Sequence, residues 1–224
     1  DSCVGVGTIF SVTLNDPAES DGEKTVCQPG TRQVAAGYIL YGSSTIMCLT
    51  TGDGVDMFVL DQAIGSFLRV RTNLRIPEQG TTYSINEANA ETFPEGYQAY
   101  LRFAHGAGYT SRYIGSMVSD VHRTLIRGGV FLYPPTAKNP DGKLRLLYEA
   151  NPMAMLMEQA GGRASTGEVP MLDVQPTGLH QRIGLVFGSK NEVDRIERYH
   201  REPAPDLSDM GDTPLFTARS LFRD

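Results

Sequence analysis

The fold of this chain is decided by the stretch Gly142-Lys143-Leu144-Arg145-Leu146-Leu147-Tyr148-Glu149-Ala150-Asn151-Pro152-Met153-Ala154. Its second half predicts a helix, because Asn151 is a favourable N-cap and Pro152 suits the first helical turn. Gly161-Gly162 then predicts the end of that helix after Ala160, since glycine commonly follows the last helical residue. The first half is expected to be a strand or loop that leads directly into the helix.

Three charged side chains of this stretch are candidates for chemistry. Lys143, Arg145 and Glu149 are predicted to lie where the chain passes into the helix, a position that favours anions through unpaired N–H groups and the helix dipole. Two cations can bind phosphate oxygens, and a carboxylate is a typical ligand of a hard metal ion. The trio is also compatible with the charged surface of an amphipathic element, and the spacing alone favours this ordinary surface reading.

The rest of the chain carries both strand-like and helix-like patterns. Val4–Leu14 alternates as a strand does, whereas Thr31–Tyr41 is compatible with a helix or a buried strand. Thr51-Gly52-Asp53-Gly54 lies between two apolar runs and predicts a hairpin. From about residue 74 onward strands and helices alternate, including a helix that runs from an N-cap at Ser116 to Arg127. These patterns predict an α/β protein.

Seven further segments carry recognisable motifs. In chain order they are Val4–Phe10, Gln28–Gly30, Val34–Tyr38, Tyr83–Glu87, Arg112–Val118, Asp120–Leu125 and His180–Arg182. Together with residues 142–154 they resemble the fructose-1,6-bisphosphatase family, over nearly everything up to about Arg201. The resemblance implies an α/β fold, a layered α-β-α-β-α sandwich of the sugar/inositol phosphatase superfamily.

The resemblance also implies a division of the chain. Residues 1–73 correspond to the C-terminal part of an N-terminal phosphatase domain, residues 74–202 to a whole C-terminal α/β substrate-binding domain, and residues 203–224 to a tail. In the family, an Asp-Pro-x-Asp-Gly-Ser-Ser-Asn segment with metal-binding carboxylates lies immediately upstream of the position of Asp1. We therefore expect the chain to be a C-terminal fragment that is inactive by itself.

The activity implied by the resemblance is hydrolysis of the 1-phosphate of fructose 1,6-bisphosphate to fructose 6-phosphate, in gluconeogenesis and carbohydrate metabolism. Mg²⁺ or Mn²⁺ is the implied cofactor, because hard divalent cations polarise phosphate esters and activate water. Glu149 is the implied metal ligand and a catalytic residue, and Arg145 is the implied catalytic cation near the reacting phosphate. The implied substrate-binding residues are Asn86, Arg112, Tyr113, Gly115, Ser116, Met117, Tyr133 and Lys143.

Most of these binding residues are implied to hold the phosphate that does not react. Amide, phenol and ammonium donors for it come from Asn86, Tyr113, Tyr133 and Lys143. Arg112 is implied to reach into the pocket of a neighbouring subunit of a homotetramer. The backbone N–H groups of residues 115–117 are implied to meet a sugar hydroxyl or phosphate. Asn89 stands where some relatives carry a Tyr that also contacts this phosphate.

Composition limits the partners and the compartment. The net charge of −6 argues against a nucleic-acid or anionic-membrane surface, and no apolar stretch is long enough to span a membrane. Cys3, Cys27 and Cys48 are odd in number and contain no Cys-x-x-Cys pair, so a disulfide framework is not expected. We expect a cytoplasmic protein.

Two alternatives remain open from the sequence. One is a sedoheptulose-1,7-bisphosphatase, a related enzyme with similar chemistry, although Asp120-Val121-His122-Arg123 and Tyr148 resemble the fructose enzyme more closely. The other is a non-catalytic module that binds a sugar phosphate and assembles with other chains. An assay with both sugar bisphosphates separates all three possibilities.

Overall fold

The computed structural model describes residues 4–15 and 19–202, and its first layer is an antiparallel sheet. The five strands lie side by side in chain order and are β1 (Val6–Thr13), β2 (Gln33–Tyr41), β3 (Thr45–Thr50), β4 (Asp56–Asp61) and β5 (Ser66–Arg71). A short helix, α1 (Gly22–Val26), lies between β1 and β2. The predicted hairpin is confirmed between β3 and β4, where Gly52 and Gly54 adopt positive φ angles that suit glycine.

A second, mixed sheet is formed by the later part of the chain. The strands of this part are β6 (Thr82–Ser84), β7 (Thr110–Ser111), β8 (Val130–Tyr133), β9 (Leu144–Arg145), β10 (Arg163–Ser165), β11 (Arg182–Ile183) and β12 (Leu185–Gly188). Five of them make the sheet in the order β10-β12-β8-β6-β7. The strand β6 runs parallel to both of its neighbours, whereas β12 is antiparallel to β8 and β10. Strands β9 and β11 form a separate antiparallel ladder.

Four longer helices complete the layers, and they are α2 (Glu95–Gly106), α3 (Met117–Arg127), α4 (Asn151–Gln159) and α5 (Lys190–Arg201). Helices α3 and α4 contact both sheets, whereas α2 and α5 cover the far side of the second sheet. The described residues thus form four layers, sheet, helices, sheet and helices, which confirms the α/β sandwich class. No helix in the described ranges has the length and apolar character needed to cross a membrane.

Apolar packing explains this order of layers. The larger core lies between the two sheets, where Tyr38 and Cys48 of the first sheet meet Leu125 of α3 and Met153 of α4, all fully buried. A second core joins the mixed sheet to α2 and α5. The first sheet is covered on one side only among the described residues, and Val6 at its edge is 67% exposed. The two sheets therefore differ in how completely they are buried.

Candidate functional site

Three parallel strands deliver several of the candidate residues to one edge of the second sheet. Asn86 follows β6 by two residues, Arg112 and Tyr113 come directly after β7, and Tyr133 is the last residue of β8. Because β6, β7 and β8 are parallel, their carboxyl ends lie at the same edge. This edge is where open α/β sheets commonly bind ligands.

A cavity of about 170 Å³ opens at this edge. Its polar lining includes Asn86, Asn89, Tyr133, Thr136, Lys138, Asn139 and Lys143. Its apolar lining consists of Ile85, Phe93, Leu132 and Pro134. Three of the candidate binding residues, Asn86, Tyr133 and Lys143, are thus brought together around one space. The donors that they supply suit the oxygens of an anion.

Asn86 is held in place by the turn that it begins. Its side-chain Oδ1 accepts the N–H of Ala88 at 3.1 Å, so the amide NH₂ is the group that remains for a ligand. The next residue, Glu87, accepts the Tyr83 hydroxyl at 2.9 Å and lies 3.0 Å from His105 Nε2. These contacts tie the turn to β6 and α2, so that the Asn86 amide is presented from an anchored backbone.

Tyr113 and Arg112 lie beside this cavity rather than in its lining. Burial is the main cause that raises the pKa of Tyr113, and the nearby Tyr133 raises it further, so the phenol keeps its proton and can act as a donor. The carbonyl of Arg112 accepts the Arg123 guanidinium at 2.9 Å, which fixes the backbone while its own side chain remains exposed. Arg112 is therefore presented to the outside of this chain.

The start of α3 is closed by a buried carboxylate. Asp120 accepts the N–H groups of Ile114 and Gly115 at 3.0 Å each and pairs with Arg123 at 2.9 Å. The carboxylate has no exposed surface, so these three donors satisfy it. The N–H of Gly115 is thereby already engaged within the chain, and the N–H groups that follow it at the helix start are the ones left for a ligand.

Ser116 occupies the predicted N-cap position of α3, but its hydroxyl does not cap the helix. It donates instead to the carbonyl of Gly5 at 2.6 Å, and this bond ties α3 to the first sheet. Met117 packs its side chain against the core between the sheets. The side chains of both residues are therefore engaged in packing within the chain.

The helix around Glu149 begins earlier than the sequence predicts. Leu146–Ala150 forms a π turn in which the N–H of Asn151 reaches the carbonyl of Leu146, and α4 continues from there. The prediction of Asn151 as N-cap is wrong, because its backbone is already helical and its side chain is buried. The cause is Pro152, which has no N–H to donate and whose ring would collide with an α-helical carbonyl of the preceding turn. The wider π turn removes this conflict.

Hydrogen bonds link the residues of the charged trio at the helix start, although the Lys143 side chain takes no part in these bonds. Glu149 Oε2 accepts the backbone N–H of Arg145 at 2.7 Å, while Arg145 donates a guanidinium N–H to the carbonyl of Lys143 at 2.9 Å. Arg145 belongs to β9, so the prediction of a strand leading into the helix is confirmed. The predicted end is confirmed too, because Gly161 follows α4 with a φ of 87°.

Glu149 can supply one ligand to a metal ion, but it does not form a complete metal site by itself. One carboxylate oxygen is engaged by Arg145, and the other has no hydrogen-bond donor among the described residues. A carboxylate oxygen is the ligand type that Mg²⁺ and Mn²⁺ prefer. Within residues 4–15 and 19–202, however, no group of three His, Cys, Asp or Glu residues is close enough to hold a metal. Further ligands would have to come from outside these residues.

One part of the cavity, the loop that follows β8, was not predicted from the sequence motifs. Thr136, Lys138 and Asn139 line the cavity, yet they lie outside the motifs that carry the resemblance. A lysine in a Pro-containing loop only five residues before Lys143 was the available signal.

Comparison with known proteins identifies relatives along nearly the whole chain. The family described as "Fructose-1-6-bisphosphatase, N-terminal domain" matches residues 1–72, and "Fructose-1-6-bisphosphatase, C-terminal domain" matches residues 76–201. A "Fructose-1,6-bisphosphatase class 1" of Cytophaga hutchinsonii is 52% identical over 203 residues, which cover 88% of this chain and 59% of that protein. The protein of the same description from Trichormus variabilis is 50% identical over 201 residues, which cover 89% and 58%.

A solved structure is similar as well. The crystal structure of Leishmania major fructose-1,6-bisphosphatase in holo form superposes with a TM-score of 0.84 at 41% sequence identity. The match covers 89% of this chain and 64% of that chain. The chain thus spans less than two thirds of the length of each of these relatives.

Proposed function

The chain belongs to the fructose-1,6-bisphosphatase family, and we propose that the protein hydrolyses the 1-phosphate of fructose 1,6-bisphosphate to fructose 6-phosphate and inorganic phosphate. The observation that carries the proposal is the cavity that collects Asn86, Tyr133 and Lys143 at one sheet edge of a family member. The reaction belongs to gluconeogenesis and carbohydrate metabolism.

The cavity holds the phosphate that does not react, the one on carbon 6. Lys143 supplies charge, and Asn86 and Tyr133 supply neutral donors for its oxygens. Tyr113 and the backbone N–H groups of Ser116 and Met117 at the start of α3 bind the sugar or its phosphate from the side. A hydrogen bond to a charged group is worth about 1.5–3 kcal/mol, so a few such contacts orient the substrate and place its other phosphate.

The reacting phosphate lies toward Arg145 and Glu149. Arg145 offers positive charge to that phosphate, and Glu149, one of whose carboxylate oxygens accepts the Arg145 N–H, is the residue that would hold a divalent cation, Mg²⁺ or Mn²⁺. When bound, such a cation polarises the ester and lowers the pKa of a water molecule. The described residues contribute the substrate's orientation and one ligand, and no further step is assigned to them.

Assembly and location stay predictions. We propose a homotetramer in which the exposed Arg112 completes the pocket of a neighbouring subunit. We also propose that the enzyme works in the cytoplasm.

The test is release of inorganic phosphate by the full-length protein with Mg²⁺ or Mn²⁺, measured separately on fructose 1,6-bisphosphate and sedoheptulose 1,7-bisphosphate. We expect the higher kcat/KM on the fructose substrate and no turnover after removal of the metal with a chelator. A preference for the seven-carbon substrate would replace the proposal by the sedoheptulose activity. Tight binding of fructose 6-phosphate with no hydrolysis of either substrate would establish a non-catalytic binding module.

A further inference from the structure

The cavity contains a second lysine to which neither the motifs nor the proposed function assigns a role. Lys138 and Lys143 both line it, and no acidic side chain does among the described residues. Neither lysine has a carboxylate within 4.0 Å among the ion pairs of residues 4–15 and 19–202, in contrast to Lys190, which pairs with Asp194. Two lysines thus line one small cavity that has no acidic side chain in its lining among the described residues.

The backbone fixes the position from which Lys138 reaches the cavity. Thr136 and Asn139 exchange both backbone hydrogen bonds, at 3.1 and 3.0 Å, and Lys138 lies within the two-residue tip between them. Asn139 also accepts the N–H of Gly142 at 3.0 Å. Gly142 in turn packs so closely on Ile183 that an added Cβ would lie 2.2 Å from its backbone. The loop is therefore held at its tip and at its base.

The charge of the ligand explains why a second cation is useful. A phosphate monoester carries about −1.5 to −2 charges at pH 7, with a second pKa near 6. Within one subunit, Lys143 alone leaves part of that charge uncompensated, and the cavity lining also includes the apolar side chains of Ile85, Phe93 and Leu132. Uncompensated charge beside apolar groups is costly, and a second ammonium group removes the deficit.

We propose that Lys138 is a second phosphate-binding cation of this cavity, and that it shares the non-reacting phosphate of the sugar with Lys143. The inference rests on the proposed function, because it takes the sugar phosphate as the ligand. With two lysines the cavity prefers the phosphate dianion to the monoanion. Fructose 6-phosphate should accordingly bind more tightly as pH rises from about 5 to 7.5, and Lys138 should account for part of that increase.

The experiment is titration calorimetry of fructose 6-phosphate into the full-length protein at pH 5 and pH 7.5. At pH 7.5 we expect Lys138→Ala and Lys138→Met to weaken binding about three- to tenfold, because an exposed ion pair contributes modestly. Lys138→Arg should stay within about twofold of the wild type, since it keeps the charge. At pH 5 the loss caused by Lys138→Met should shrink. Lys24→Ala, at an exposed lysine that lines a different cavity, is the matched control and should bind as the wild type does.

Each other outcome has a definite meaning. If Lys143→Ala weakens binding but Lys138→Ala and Lys138→Met do not, the inference is overturned and the proposed function stands. If neither lysine matters, both the inference and the assignment of this cavity to the phosphate are overturned. A loss that is the same at pH 5 and pH 7.5, or that Lys138→Arg shares, would show that the loop shape matters rather than the charge, and would also overturn the inference.

Discussion

The two ends of the candidate site are built in different ways. The phosphate cavity lies at the edge of a single sheet and takes its lining from β8 and from the segments that follow β6 and β8. Glu149 instead lies on a π turn that packs against β1, where the second part of the chain meets the first sheet. The first end is lined by several hydrogen-bond donors, whereas the second offers Arg145 and a single candidate metal ligand, Glu149. Binding and chemistry should therefore respond separately to substitutions.

The sharpest test of that separation is Glu149→Gln. The amide keeps the shape and can still accept the Arg145 N–H, but it lacks the charge that a hard cation requires. We expect turnover of fructose 1,6-bisphosphate to fall by at least about 10³-fold, roughly 4 kcal/mol in the barrier. Binding of fructose 6-phosphate should stay within about twofold of the wild type. Near-normal turnover at saturating Mg²⁺ would remove Glu149 from the metal site.

The junction between the first sheet and helix α3 can be perturbed by the substitution Gly7→Ala. A Cβ at this position would lie 2.8 Å from the backbone oxygen of Ile39 and 2.8 Å from the side chain of Val118 on α3. Forcing an extra carbon between a sheet and a helix typically costs about 1–3 kcal/mol. The free energy of unfolding in urea should fall by that amount. Gly22→Ala, where nothing lies within 4 Å, is the control and should change stability little.

Weaker binding of fructose 6-phosphate by Gly7→Ala would contradict the separation of the two ends. If Gly7→Ala reduced fructose 6-phosphate binding as much as it reduced turnover, the two ends would share one packing unit. We expect turnover to suffer more, because the π turn packs against β1 and the cavity does not include that strand.

The same contrast explains what the sequence could predict. The hairpin at residues 51–54 and the end of α4 at Gly161 depend on glycine at defined positions, a local property. Residues 31–41 were compatible with two structures, and pairing with β1 and β3 made them a strand. Such pairing is tertiary and is not encoded in local spacing. The start of the Glu149 helix was predicted wrongly for a different, local reason, because a π turn precedes Pro152 and the helix therefore begins before Asn151.

The candidate site, too, could be predicted from the sequence only in part. The sequence motifs identified Asn86, Tyr133 and Lys143 as candidate binding residues. The parallel arrangement of β6 and β8 is what brings these residues to one cavity. Residues whose side chains serve packing could not be recognised as such from sequence. Ser116 is the example, since its hydroxyl bonds Gly5 across the layers rather than capping its own helix.

The phosphate end is tested by Lys143→Ala. The loss of one charged contact from an exposed side chain should raise KM for fructose 1,6-bisphosphate about tenfold, the lower end of the range for charged hydrogen bonds. The effect on fructose 1-phosphate, which leaves this cavity empty, should be much smaller. Lys24→Ala controls for the removal of a lysine elsewhere. An equal loss of kcat/KM on both substrates would indicate a folding defect and would contradict the proposed separation of phosphate binding from chemistry.

The smallest expected effect is a pH dependence of stability at the junction. His122 of α3 lies with Nδ1 2.6 Å from the Tyr38 hydroxyl of β2, and burial lowers its pKa. The folded state therefore excludes a proton that the unfolded chain takes up below pH ~6.5, so stability falls as pH drops from there toward the folded pKa. We expect the free energy of unfolding to fall between pH 7.5 and pH 5.5, and His122→Gln to show a smaller fall. His180→Gln, at an exposed histidine, should follow the wild type. An identical pH dependence for His122→Gln and the wild type would mean that His122 does not cause the fall in stability.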